Sequence, residues 1–336
     1  MNNYSKLVVI GASGLVGIEF TNIIKNFNLF EFVLVSNTTV GQTCPITKQE
    51  YVSLESIDFE KNNVYVNCAN SDQAKIIANK MTQNSVLIDN SSEFRLRNDV
   101  LLCVPEINFN QFTTEQYNKS NIIANPNCST IILACLLNPF IKNELKIKRV
   151  VVSTYQAASG AGKAGLDELK TQTEEIIMGK QLSRNFWKQQ YIFNTFVHDS
   201  PIESNGNCQE ENKLINETKK IFNAGFGISA TCIRVPVLRS HCESVNIEFE
   251  NAISYNQIYS LLSEEKTIHI IDDKPGHNFP TSITSNNQNL VQVGHIRSDS
   301  SLEDGYGWNF WISGDQLLRG AAFNAFEILA KITGSK

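Results

Sequence analysis

The segment Asn125-Pro126-Asn127-Cys128-Ser129-Thr130 holds the residue types best suited to covalent chemistry. It closes one apolar run (122–124) and opens another (131–134). That pattern predicts a short strand, a proline-anchored turn and a helix. Cys128 then falls in the first turn of the helix, where unpaired backbone N–H groups and the helix dipole favour thiolate over thiol. A thiolate is a strong nucleophile, and the same helix terminus can steady an oxyanion. A buried cysteine filling a core gap is the competing reading; the turn and the partners below favour the nucleophile.

Three more side chains are candidates by position. Gln156 ends the strand expected over 149–156 and could hydrogen-bond a substrate amide or carboxylate. His241 lies in a turn after the strand expected over 231–237, seven positions beyond Arg234. It can serve Cys128 as a base only if the fold brings the two together; otherwise it is structural. His198, His269, His277 and His295 have no catalytic context. Arg95 leaves the strand that ends at Ile88 through Asp89-Asn90-Ser91-Ser92-Glu93-Phe94. It could clamp a phosphate bidentately, or be a solvated surface arginine.

Such groups need elements to position them. Leu7–Ile10 is a buried-strand signal, followed at once by Gly11-Ala12-Ser13-Gly14-Leu15-Val16-Gly17 and a helical pattern through Ile18, Ile23 and Ile24. Gly-x-x-Gly-x-x-Gly is a variant of the Rossmann fingerprint, in which glycines allow a tight turn and a close approach to a pyrophosphate at the helix N-terminus. The second strand, 32–35, ends in Ser36-Asn37-Thr38-Thr39 without an acid. That favours NADP over NAD, yet no arginine stands there for a 2′-phosphate, so the choice stays open. Strands at 64–66 and 86–88 with a helix over 73–81 complete a mostly parallel sheet covered on both faces.

The second half mixes patterns. The small-residue turn 157–163, with Ser159 and Gly160, suits close backbone approach to a ligand or simple turn chemistry. Helices are expected over 164–178 and 210–222, and strands over 245–250 and 308–312. A final helix over 315–332 carries Leu318, Ala322, Ala325 and Leu329 along one apolar face, widened by Leu317, Ala321 and Phe326. Residues 200–212 and 272–289 are expected as loops.

The chain has 336 residues, 42% hydrophobic and 19% charged, which suits two domains. A net charge of −5 without a basic block argues against nucleic acid as a partner. No apolar run is long enough to span a bilayer and no export signal opens the chain, so no membrane role and a cytoplasmic location are expected. The eight cysteines include no Cys-x-x-Cys pair, so neither a disulfide framework nor a metal site is expected.

Over essentially its full length the chain resembles the aspartate-semialdehyde dehydrogenase family. The resemblance rests on the glycine turn 11–17, Asp89 to Arg95, Val104-Pro105-Glu106-Ile107-Asn108, Asn125 to Thr130 and Ser153 to Gly165. It continues through Glu217-Thr218-Lys219-Lys220, Arg234-Val235-Pro236-Val237 with His241, and Leu318 to Ala322. The family pattern implies an α/β fold: a Rossmann-like NADP(H)-binding domain (1–127 plus 315–336) and an α+β catalytic and dimerisation domain (128–314), with the C-terminal helix returning to the first. It implies Cys128 as nucleophile, His241 as general acid/base and Gln156 orienting the acyl group. Arg234 would bind the substrate α-carboxylate and Glu210 its amino group; Arg95, Asn127 and Lys213 would hold phosphate. Gly11, Ala12, Ser13, Gly14, Leu15, Val16, Ser36, Ser159, Gly160 and Gln316 would meet the cofactor.

The implied reaction is NADPH-dependent reduction of L-aspartyl 4-phosphate to the 4-semialdehyde through a Cys thioester, in lysine, methionine and threonine biosynthesis. Small-molecule substrates and a homodimer are the implied partners. Thr38 stands where an arginine is frequent, Gln316 where asparagine is usual, and His295 where arginine is common; the segment 193–210 also departs from the pattern. An N-acetylglutamyl-phosphate reductase and a catalytically silent dinucleotide-binding regulator are the alternatives.

Overall fold

A computed structural model describes residues 4–25, 31–114, 116–117 and 119–334. The chain divides into two units. Unit 1 comprises residues 1–127, 220–222 and 320–336; unit 2 comprises 128–219 and 223–319.

In unit 1, β1 (Leu7–Ile10), β2 (Phe32–Val35), β3 (Val64–Asn67), β4 (Val86–Asp89), β5 (Leu101–Leu102) and β6 (Ile122–Ala124) form one sheet in the order β2-β1-β3-β4-β6-β5. Every pairing is parallel. The central strands are buried along their whole length because helices cover both faces. These helices include α1 (Leu15–Ile24) and α2 (Ser71–Lys80), the latter capped by the Asn70 side chain accepting from the Gln73 N–H at 3.1 Å. A short α3 (Pro105–Asn108) follows β5.

Unit 2 opens with α4 (Cys128–Lys142), buried along most of its length. Its mixed sheet contains β7 (Ile147–Gln156), β8 (Phe196–Val197), β9 (Gly227–Arg234), β10 (His241–Phe249), β11 (Ile268–Ile270), β12 (Val291–Ser298) and β13 (Gly307–Gly314), in the order β11-β12-β13-β10-β7-β9-β8. Between the strands run α5 (Gly162–Ile177), α6 (Gln209–Phe222) and α7 (Tyr255–Ser263). Buried positions alternate along β10 (241, 243, 245, 247, 249), giving it one face toward α4. Phe140 of α4 meets Phe249 edge-on at 5.5 Å and Phe310 of β13 at 5.8 Å.

The last helix, α8 (Phe323–Thr333), belongs to unit 1, and its Ala325, Ile328 and Leu329 join the core cluster with Phe20 and Ile88. The regular helix expected from 315 differs in its first turns: residues 318–322 form a π-helical turn. β9 starts four residues earlier than expected and stops before Pro236, which cannot donate to a ladder. β10 begins at His241 itself, so the residue expected in a turn is the first of a strand. No helix among the described residues is long and apolar enough to cross a membrane.

Candidate active site

In unit 1, Gly11 adopts φ +73°, a conformation that favours glycine, between β1 and α1. At Gly17 a Cβ would lie 2.2 Å from the Gly11 carbonyl oxygen, so the turn and the helix can close together only without a side chain there. A cleft of about 360 Å³ opens above this turn, lined by Gly11, Ser13, Gly14, Ser36, Thr38 and Cys68 among others. Ser13 and Ser36 share a hydrogen bond of 2.7 Å, and the Thr39 hydroxyl donates to Ser36 Oγ at 2.7 Å. No carboxylate is among the described residues lining the cleft.

The carboxyl ends of β4 and β6 are held by an amide chain. Asn90 Nδ2 donates to the Asn67 carbonyl, Asn125 Nδ2 to Asn90 Oδ1, and Asn324 Nδ2 to Asn125 Oδ1 (2.8, 2.9 and 2.6 Å). Buried Asp89 accepts from Asn67 Nδ2 and from the Ser91 hydroxyl; burial still pushes its carboxyl above the usual range. Arg95 is buried, with Nη2 donating to the Asn90 carbonyl at 2.8 Å. The loop beyond it is gathered by Lys220, whose ammonium donates to the carbonyls of Arg95, Arg97 and Val100 at 2.6–2.8 Å. Lys220 entered the sequence reading only as part of a matching segment; the three carbonyls show what it does. Asn127, buried, closes this unit.

Unit 2 assembles the other candidates from three adjacent strands. Gln156, the last residue of β7, pairs in register with Arg234, the last of β9. On its other side β7 pairs with β10 up to Tyr155 and Cys242, one position short of His241. His241 is in register with Gly314 of β13. Arg234, Gln156, His241 and Gly314 therefore form a row across one end of the sheet. Above it lies the start of α4. Ile132 sits directly over Gly314, where a Cβ would lie 2.8 Å from Ile132 Cγ1. Cys128 is one helical turn before Ile132, on the same helix face. Ser129 Oγ accepts from Gln156 Nε2 at 3.2 Å. Cys128, only partly buried, thus begins a helix whose next residue is bonded to the row.

Each member of the row has its own supports. Gln156 Nε2 also lies 3.3 Å from Thr154 Oγ1 and 3.4 Å from Glu210 Oε1. Glu210, buried in the first turn of α6, is ion-paired with Lys213 at 3.3 Å. Arg234 donates from Nε to Asp199 at 2.9 Å, and its guanidinium lies 5.5 Å over the Trp187 ring. His241 is fully buried, and Nδ1 accepts the Ala157 N–H at 3.0 Å. Burial, with Arg234 beside it, lowers its imidazole to about 3. Burial likewise lowers His198 to about 4. The turn before His241 is tied down at Ser240 (φ +69°), whose N–H donates to Gln316 Oε1 at 2.7 Å. Gln316 Nε2 in turn donates to the Ser159 hydroxyl. Arg239 Nε donates to buried Asp315 at 2.7 Å.

Asp199, Trp187, Asp315 and the Ala157 N–H were not expected from the sequence. Asp199 lies in the segment that departs from the family pattern, and a backbone N–H carries no residue-type signal at all. His295, in β12, is largely exposed. None of the eight cysteines is in a disulfide, and six are buried, as the apolar runs around most of them implied.

Comparison with known proteins identifies the family. Residues 6–115 match the family model "Semialdehyde dehydrogenase, NAD binding domain", and residues 137–319 match "Semialdehyde dehydrogenase, dimerisation domain". Unit 1 therefore contains a nicotinamide-dinucleotide-binding domain. An aspartate-semialdehyde dehydrogenase of Prochlorococcus marinus is 38% identical over 333 residues, covering 96% of this chain and 94% of the relative. One of Rickettsia conorii is 38% identical over 339 residues (99% and 98%). The crystal structure of aspartate semialdehyde dehydrogenase II from Vibrio cholerae, complexed with ASA, superposes with a TM-score of 0.91 at 32% identity, covering 99% of both chains. On these grounds the chain belongs to the aspartate-semialdehyde dehydrogenase family.

Proposed function

We propose that this enzyme reduces L-aspartyl 4-phosphate to L-aspartate 4-semialdehyde through a thioester on Cys128, in the biosynthesis of lysine, methionine and threonine. The observation that carries the assignment is the row Arg234–Gln156–His241 at one end of the unit 2 sheet, with the Cys128 helix starting over it. Cys128 attacks as thiolate; the acyl–oxygen bond breaks, and the departing phosphate takes up a proton from water. Arg234 binds the α-carboxylate and Glu210 the α-ammonium, fixing the acyl carbon at the sulfur. Arg95, Asn127 and Lys213 hold the phosphate. Gln156 orients the acyl group, and His241 is the general acid/base.

The glycine turn and the hydroxyl-lined cleft fit a dinucleotide with a 2′-phosphate. Gly11 to Val16 would hold the pyrophosphate. Ser36, with Ser13 and Thr38, would accept the 2′-phosphate in a cleft that offers it no carboxylate repulsion. Ser159, Gly160 and Gln316 would meet the nicotinamide. When bound, NADPH supplies the hydride that reduces the thioester carbonyl. Loss of the Cys128 thiolate from the reduced carbon then frees the aldehyde. The family model over 137–319 supports a homodimer through unit 2, and a cytoplasmic location suits the pathway.

The reverse reaction tests the activity: semialdehyde plus phosphate should reduce NADP, and reduce NAD more slowly. A folded, NADP-binding protein with no such turnover would refute it. Ser36→Asp should weaken NADP at least about tenfold, about 1.4 kcal/mol, while sparing NAD.

A further inference from the structure

We propose that Trp187 is a positioning residue for substrate binding. Its indole ring, seated on α5 at Gly165 and held there by Glu168, sets the plane of the Arg234 guanidinium and so the fit of the substrate α-carboxylate. The inference rests on the reading that Arg234 binds that carboxylate.

Residues 181–195 form no helix or strand of their own, so their backbone groups depend on side chains for partners. α5 supplies them from Glu168, Gln172 and Glu175, which recur at helical spacing on one face. Buried Glu168 accepts three successive backbone N–H groups: Asn185 and Phe186 on Oε2 at 2.8 and 2.5 Å, and Trp187 on Oε1 at 3.1 Å. Gln172 Oε1 accepts from the N–H groups of Tyr191 and Ile192 at 2.8 and 3.1 Å, and its Nε2 donates to the Ser183 carbonyl at 2.7 Å. Glu175 Oε2 accepts the Ser183 N–H at 2.7 Å. A carboxylate answers such convergent donors with acceptors alone. Glutamine at 168 would turn its own NH₂ toward them.

The ring so placed is gripped from two sides. Its Nε1 donates to the Gly165 carbonyl at 3.1 Å, and a Cβ on Gly165 would lie 2.8 Å from Trp187 Cζ2. Glycine inside a helix of 16 residues costs stability relative to alanine, and here it makes room for the indole. Over the ring lies the Arg234 guanidinium, 5.5 Å from the centroid and within cation–π reach. Tyr191 packs on the same indole with centroids 4.6 Å apart, and its hydroxyl lies 3.5 Å from the Gln156 carbonyl oxygen. The bracket therefore reaches both Arg234 and its register partner Gln156.

Asp199 grips the arginine at Nε, and the buried ring supplies the flat face that fixes the tilt of the guanidinium. A guanidinium meets a carboxylate best through two parallel bonds in one plane, so that tilt decides the fit. Trp187 acts through Arg234 alone.

The test is steady-state kinetics of the reverse reaction, semialdehyde plus phosphate with NADP, alongside thermal melting. Trp187→Leu should raise KM for the semialdehyde about 5- to 30-fold, with kcat within about twofold and KM for phosphate and NADP unchanged. Trp187→Phe keeps an aromatic face and should hold that KM within about threefold of wild type. Gly165→Ala keeps the tryptophan and the helix but pushes the ring off its seat. It should raise the same KM about 3- to 10-fold with Tm moved by only a few degrees, and it decides the matter if the leucine variant does not fold. A semialdehyde KM within about twofold of wild type in the leucine and alanine variants overturns the proposal. So does a parallel rise in all three KM values, or a Trp187→Phe protein as impaired as Trp187→Leu. A wild-type protein without turnover would sink the proposed activity and this inference together. A working wild type with unmoved variants sinks the inference alone.

Discussion

Asp199 holds Arg234 by the guanidinium Nε at 2.9 Å, leaving the planar end of the arginine to lie over Trp187 beside Gln156. The arginine is buried and the aspartate partly exposed. Such a half-open pair contributes orientation more than stability, roughly 0–1 kcal/mol. Asp199→Asn should therefore raise KM for the acyl phosphate about two- to fivefold with kcat little changed. Steady-state kinetics check this; a fall in kcat at constant KM would contradict it.

Gly160 is a steric requirement of the site and not of the turn. A Cβ there would lie 3.0 Å from His241 Cε1 and 3.2 Å from Arg234 Nη1. Its φ is not in the left-handed region, so alanine is acceptable to the backbone itself. Gly160→Ala should lower kcat by about 10- to 100-fold through displacement of the two side chains, while Tm moves by only a few degrees. Comparing kcat with thermal melting separates the two effects.

Stability should fall with acid in a specific window. His241 and His198 have folded values of about 3 and about 4, below the ordinary 6.5, so the unfolded chain binds protons that the native state refuses. Their contribution is complete above about pH 6.5 and is lost as pH falls toward about 4, at up to roughly 1.4 kcal/mol per pH unit for each group. Urea midpoints from about pH 7 to about pH 4.5 should decline accordingly. Glu243 acts with the opposite sign. Its carboxyl is raised well above 4.5, so its contribution is present below that value and is lost as pH rises. Glu243→Gln should remove that decline and so make stability less dependent on pH above about pH 6.5, where the two histidines no longer titrate; an unchanged slope there would mean that Glu243 is ionised in the native state.

Much of the architecture was legible in local patterns. β1, the glycine turn and α1 follow from an apolar run and three spaced glycines, and β6, the turn and α4 from Pro126 between two apolar runs. The apolar face of α8 was visible as Ala325 and Leu329 at helical spacing. What failed was short or exposed. β5, two residues long, and β8, half-exposed, carry too little periodicity to be read. α7 begins at a polar capping box, and β12 was missed next to a long loop. At the site, Gln156 was legible as a strand-end polar residue, whereas Arg234 was expected inside a strand over 231–237 and is the last residue of β9. The row they form with His241 was not, because it depends on the register of three strands far apart in sequence. The Ala157 N–H and the Gln316 bridge between Ser159 and Ser240 are products of that register and of backbone geometry.

The thioester on Cys128 is tested most directly by mass spectrometry of the enzyme mixed with L-aspartyl 4-phosphate in the absence of NADPH. A single aspartyl adduct should appear on Cys128 and discharge as the semialdehyde when NADPH is added; Cys128→Ala should show neither adduct nor turnover while still binding NADP. An adduct on another residue, or turnover by Cys128→Ala, would contradict the thioester route.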